Sequence, residues 1–138
     1  MADVIELIEH DHREVEALFS EFEGTQNASV ATQICDELDR HASAEEAVVY
    51  PVIEAEVPEG KKMVSEATNE HKEARQLIGR IRRTEDSTHL VELVGELKQG
   101  IQHHVQEEES QVLPKTRQAL SPERLSELGQ EFQAAKGS

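Results

Sequence analysis

HASAEEAVVYP (residues 41–51) and HVQEEESQVLP (residues 104–114) carry one pattern twice, 63 residues apart. Each opens on His, with Glu at the fourth and fifth positions after it, an apolar residue at the eighth and Pro at the tenth. Four residues make about one helical turn, so His41 and Glu45 share a face, as do His104 and Glu108. A solvated charge run has no need to hold that register, whereas a pair of matched sites does.

The apolar spacing around both copies is helical, and no segment alternates as a strand would. A first helix is expected from about Asp3 to Glu23, with Asp3 as N-cap and Glu6 completing a capping box. Its stripe is Ile5, Ile8, Val15, Phe19 and Phe22. GTQNAS (24–29) reads as a loop. The second helix carries Val30, Ile34, Leu38, Val48 and Val52, with Pro51 and Pro58 disturbing its end. The third covers about Glu59 to Arg83, and the fourth about Thr88 to Pro114. Ser121 and Pro122 start a short fifth helix bearing Leu125, Leu128 and Phe132.

The fold class expected is therefore all-α: an up-down-up-down four-helix bundle with a short additional C-terminal helix. At 138 residues the chain reads as one domain, 1–138, with a core bundle over about 3–117 and the C-terminal helix over about 121–135. The first and third helices match around His12 and His71, so each helical hairpin reads as half of a pseudo-symmetric bundle.

The polar residues on the apolar stripes carry the function. His12 continues Ile5, Ile8, Val15 and Phe19; His71 continues Val64, Ala67, Ala74 and Ile78. His41 and His104 do the same on the second and fourth helices, each with its Glu one turn on. His104 fits the stripe better than His103, which lies about 100° away. Burying four imidazoles and two carboxylates without partners costs several kcal/mol per ionised group. A bound metal compensates best. Imidazole and carboxylate suit iron, manganese and zinc. Six inward ligands exceed a tetrahedral zinc site and suit two octahedral ions that share carboxylates. Glu46, Glu107 and Glu109 read most simply as solvated, with hydrogen bonding to the imidazoles as the other reading.

Composition narrows the partners. Lys and Arg total 14 against 29 Asp and Glu, a formal net charge of −15. That surface repels nucleic-acid backbones and anionic membranes. The single Cys35 excludes an internal disulfide framework and reads as a packing residue. MADVIELIEH has no basic n-region or apolar h-region, so a cytoplasmic location is expected.

DHREVEALF (11–19), HASAEEAVVYP, EH (70–71) and HVQEEESQVLP together resemble the hemerythrin-like, HHE cation-binding family, over nearly the whole chain. The resemblance implies a four-helix bundle holding two iron ions in a non-haem, oxo- or hydroxo-bridged centre. His12 and His41 would ligate one iron and His71 and His104 the other, with Glu45 and Glu108 bridging. Two departures stand out. The oxygen-carrying members have a fifth His one turn after the third-helix His, where this chain has Arg75, which cannot ligate iron. Their second bridging acid is an Asp five residues after its His, where this chain has Glu108 four residues after. Water, hydroxide, Glu16 or Tyr50 would then fill the vacancy, and Glu16 and Tyr50 are the candidates for proton transfer. An ideal helix points Tyr50 away from His41 and favours packing for it.

Among the family's activities, the exchangeable positions favour redox chemistry on hydrogen peroxide, a catalase-like disproportionation to water and oxygen. The alternative is an O₂, NO or iron carrier or sensor without turnover. A purely structural bundle with buried polar networks is the third reading.

Overall fold

The computed structural model describes residues 2–137, and Met1 and Ser138 lie outside it. Those residues form helices α1 (Val4–Thr25), α2 (Ala28–Ala44), α3 (Tyr50–Glu56), α4 (Gly60–Arg83), α5 (Ser87–Glu107), α6 (Leu113–Ala119) and α7 (Pro122–Lys136). α2 continues into α3 through a π-helical turn at Glu45–Val49, and α5 into α6 through another at Glu108–Val112. Four long rods result. α1 pairs with the α2–α3 rod, α4 with the α5–α6 rod, and α7 lies against α1 and α2.

Local chemistry sets the helix starts. Asp3 accepts from Glu6 N–H while the Glu6 side chain accepts from Asp3 N–H, closing the capping box on α1. Asn27, Asp86 and Ser121 cap α2, α5 and α7 with their side chains. The loop expected at 24–29 is only Gln26 and Asn27. Gln26 takes the left-handed conformation, φ 53°, its N–H returns to Phe22 O, and Asn27 caps the next helix at once.

Pro51 and Pro114 do not end their helices, contrary to expectation, whereas Pro58 stands just beyond Glu56, where α3 stops. Tyr50 N–H bonds Glu45 O and Leu113 N–H bonds Glu108 O, each five residues back. The widened turn precedes Pro51 and Pro114 and eases the clash their rings would make with the preceding turn. Each rod then runs on, to Glu56 and to Ala119. The extra residue rotates everything after it by about 100°. Val48 and Val52, expected inward, are half-buried, and Val49, Tyr50 and Ile53 are buried instead.

Apolar packing falls into two clusters. One gathers Val4, Ile8, Val49, Ile53, Leu113, Leu128 and Phe132 at one end of the bundle. The other gathers Val15, Phe19, Phe22, Ile34, Leu38, Ile78, Leu93 and Leu97 at the opposite end. The buried histidines His12, His41, His71 and His104 and the buried acids Asp11, Glu45 and Glu108 lie in the layer between them. No helix among the described residues is long and apolar enough to cross a membrane.

Candidate metal centre

His12, His41, His71 and His104 enter this layer from α1, α2, α4 and α5, each 4–6% exposed. Glu45 and Glu108 open the two π-turns and are 0% and 2% exposed. Their ligand atoms form two groups, His12–His41–Glu108 and Glu45–His71–His104, each within 4.8 Å. The carboxylates span the groups. Glu45 Oε1 lies 3.3 Å from His41 Nε2 and 3.2 Å from His71 Nε2. Glu108 Oε1 lies 3.1 Å from His12 Nε2, and its Oε2 3.3 Å from His104 Nε2.

The other face of every imidazole is occupied. His12 Nδ1–H donates to Glu109 at 2.7 Å and His41 Nδ1–H to Asp11 at 2.7 Å. His71 Nδ1–H donates to Glu46 at 2.8 Å and His104 Nδ1–H to Glu70 at 2.6 Å. A carboxylate only accepts, so each Nδ1 carries the proton and each Nε2 turns its lone pair inward. The pattern obeys the pseudo-twofold: acids preceding a His (Asp11, Glu70) serve the neighbouring helix of their own hairpin. Acids following a Glu (Glu46, Glu109) serve the other hairpin.

These inward atoms fit a cation. His12 Nε2, His41 Nε2, Glu45 Oε2 and Glu108 Oε1 are buried without a hydrogen-bond partner. The Nε2 atoms of His71 and His104 face each other at 3.3 Å. Two lone pairs at that distance repel unless positive charge lies with them. Tyr50 Oη sits 2.8 Å from Glu108 Oε2, 3.1 Å from Glu45 Oε1 and 3.3 Å from His71 Nε2, one proton among three acceptors.

The electrostatics agree. Burial opposes charge on His41, but Glu45 and Asp11 outweigh it and raise its imidazole to about 10. Burial likewise opposes charge on His104, yet Glu108 and Glu70 hold it well above the usual histidine range. Burial would raise Glu108, and the histidines His104 and His12 pull it well below the carboxylate range. The two central acids demand positive charge, which either imidazole protons or bound cations supply.

The structure brings together some of the residues singled out in the sequence and not others. Tyr50, a candidate for proton transfer for which a straight helix favoured packing, stands at the centre because the π-turn rotates it inward. Glu16, the other candidate for the vacant position and for proton transfer, is about half exposed and pairs with Arg13 at 3.3 Å. It does not reach the site. Glu46 and Glu109 pair with the buried imidazoles of His71 and His12, whereas Glu107 faces the exposed His103. Asp11 and Glu70 were missed; DH at 11–12 and EH at 70–71 carried the signal, but each acid serves a different His from its neighbour. Lys136 of α7, 2.7 Å from both Asp11 oxygens, had no sequence signal at all.

Beside the histidines lies a small cavity walled by Val15, Leu38, Ala74, Ile78, Ile101 and Val105, with Arg75 and Asp39 also on its lining. It has room for about two water-sized molecules. Arg75 forms a two-pronged pair with Glu46, at 2.9 and 3.0 Å.

Comparison with known proteins places this arrangement. Residues 3–116 match the hemerythrin HHE cation binding domain. The chain is 27% identical to a hemerythrin-like protein of Schizosaccharomyces pombe, over 99% of this chain and 70% of that one. It is 30% identical to a protein of Nostoc sp. named a DNA nickase, over 97% of this chain but only 39% of that protein's length. A crystal structure of a hemerythrin HHE cation binding domain-containing protein from Mycobacterium kansasii superposes with a TM-score of 0.85 at 20% identity. That match covers 99% of this chain and 86% of the other, and it shows a shared fold. The chain belongs to the hemerythrin HHE cation-binding family.

Proposed function

We propose that this chain is a non-haem di-iron protein that disproportionates hydrogen peroxide, two peroxides yielding two waters and one dioxygen. The observation that carries it is the convergence of six buried ligand side chains and one phenol beside a small cavity. His12 and His41 would hold one iron, His71 and His104 the other, and Glu45 and Glu108 both. When bound, the iron pair supplies Lewis acidity and the electrons that peroxide must gain and lose.

The chain's own residues do the rest. The four acid–imidazole pairs fix tautomer and ring orientation. Tyr50 holds a proton at Oη between the two shared carboxylates. Arg75, at the sequence position of that histidine, turns instead to Glu46 and leaves the cavity side open. The cavity has room for a molecule of peroxide's size beside the four histidines.

The apolar walls of the same cavity favour a second reading, a carrier of O₂ or NO, because an uncharged diatomic loses little solvation on entering. Oxygen evolution separates the two. The iron-loaded protein is expected to release dioxygen from added peroxide, and the iron-stripped protein to release none. A stable, reversible oxygenated spectrum with peroxide left intact would favour the carrier.

A further inference from the structure

The pseudo-twofold between the hairpins is broken at one place. Three of the four acids behind the histidines are held by a fixed cation: Asp11 by Lys136, Glu46 by Arg75 and Glu109 by Arg13. Among the described residues, Glu70 pairs with no Lys or Arg. Its Oε2 faces His103 Nε2 at 3.4 Å, and that nitrogen lies 3.0 Å from Glu107 Oε1. The three side chains offer ligand atoms within 4.8 Å of one another. His103 is 63% exposed and Glu107 41%.

The counterparts of these residues in the first hairpin are different. Arg40 stands for His103, Ala44 for Glu107 and Leu7 for Glu66. α7 lies across that side, with Lys136 over Asp11, so the first mouth is sealed. The second is a cleft lined by Glu66, Glu70, Glu107 and Gln111 that leads to His104 and Glu108. At its inner end Glu108 is 2% exposed, with Oε1 lacking any hydrogen-bond partner. Glu70 links the two levels, since its Oε1 accepts from His104 Nδ1–H at 2.6 Å.

We propose that Glu70, His103 and Glu107 capture a divalent transition-metal cation at the surface, and that this cleft delivers it to the buried centre. The inference rests on the metal-centre reading above. One imidazole and two carboxylates suit a borderline divalent ion. Their exposure makes the site weaker than the buried set, as a transfer station requires. A cleft lined by one sign of charge focuses the field and raises the local cation concentration.

The test uses iron-stripped protein mixed anaerobically with ferrous iron, quenched at intervals with a colour-forming chelator. The double variant His103→Ala, Glu107→Gln is expected to fill about tenfold more slowly than the wild type, with the same final iron content and melting temperature. A matched double variant, His10→Ala with Glu14→Gln, removes an exposed His–Glu pair of α1 that does not line this cleft and is expected to fill at the wild-type rate. With the centre already filled, manganese(II) paramagnetic resonance is expected to show one further weak site, absent from the His103/Glu107 variant. Equal filling rates for all three proteins would overturn the entry route, and so would equal slowing in both variants. A wild type that takes up no iron would instead overturn the metal centre itself.

Discussion

Tyr50 and Glu108 meet across the bundle, the Tyr50 hydroxyl donating to Glu108 Oε2 at 2.8 Å although 58 residues separate them. Burial, together with Glu108 and Glu45, holds the phenol well above its ordinary pKa, so it keeps its proton until a cation lowers it. Tyr50→Phe is expected to leave iron content unchanged and to slow peroxide breakdown by about 10²–10⁴-fold, the range for loss of a positioned proton donor. Initial rates of oxygen release check this, and a rate within twofold of wild type would remove Tyr50 from the chemistry.

The carboxylates behind the four buried imidazoles fix ring orientation. Glu46 joins His71 to Arg75, which together pull its carboxyl below the usual range against the effect of burial. Glu46→Gln is expected to weaken iron binding about 10- to 100-fold. Competition against a chelator of known affinity measures it. By the pseudo-twofold, Glu109→Gln should act similarly through His12, so equal effects from the two variants support matched half-sites.

How far the sequence revealed these residues depends on where each lies relative to the π-turns. The His–Glu pairs begin before each turn and obey the ordinary helical step, so His41, Glu45, His104 and Glu108 were legible. Tyr50 follows the first turn and was misplaced, because a straight helix cannot register a one-residue bulge. The same bulge exchanges Val48 and Val52 for Val49 and Ile53. Asp11 and Glu70 escaped for another reason: their partners lie on the adjacent helix of the hairpin, and a one-helix projection carries no information across that gap. Lys136 depends on how α7 docks, which its apolar spacing alone does not fix.

Gly60 tests the packing that positions α4. A Cβ there would run into the Ile53 carbonyl, a backbone atom that cannot swing aside. Gly60→Ala is expected to lower unfolding free energy by about 1–3 kcal/mol. Gly95, exposed inside α5, has nothing within 4 Å of its would-be Cβ. Gly95→Ala is expected to raise stability by about 0.5–1 kcal/mol. Urea titrations of the two variants should therefore move in opposite directions.

Cys35 is fully buried, and burial pushes its thiol up to about 11 from an ordinary value near 9. The folded state therefore holds the proton longer than the unfolded state does. Stability is unaffected below pH 9 and falls as pH rises from about 9 to 11, by about 2–3 kcal/mol in total. Cys35→Ala should flatten that alkaline limb in denaturant titrations. Native protein at pH 8 should also resist thiol alkylation until denaturant is added.

The central claim is that six side chains hold two ions. Anaerobic titration of the stripped protein with ferrous iron, followed by elemental analysis, tests it most directly. Two irons per chain are expected for the wild type, with occupancy of both lost in Glu108→Ala. One iron or none per chain, or two irons retained in Glu108→Ala, would contradict it.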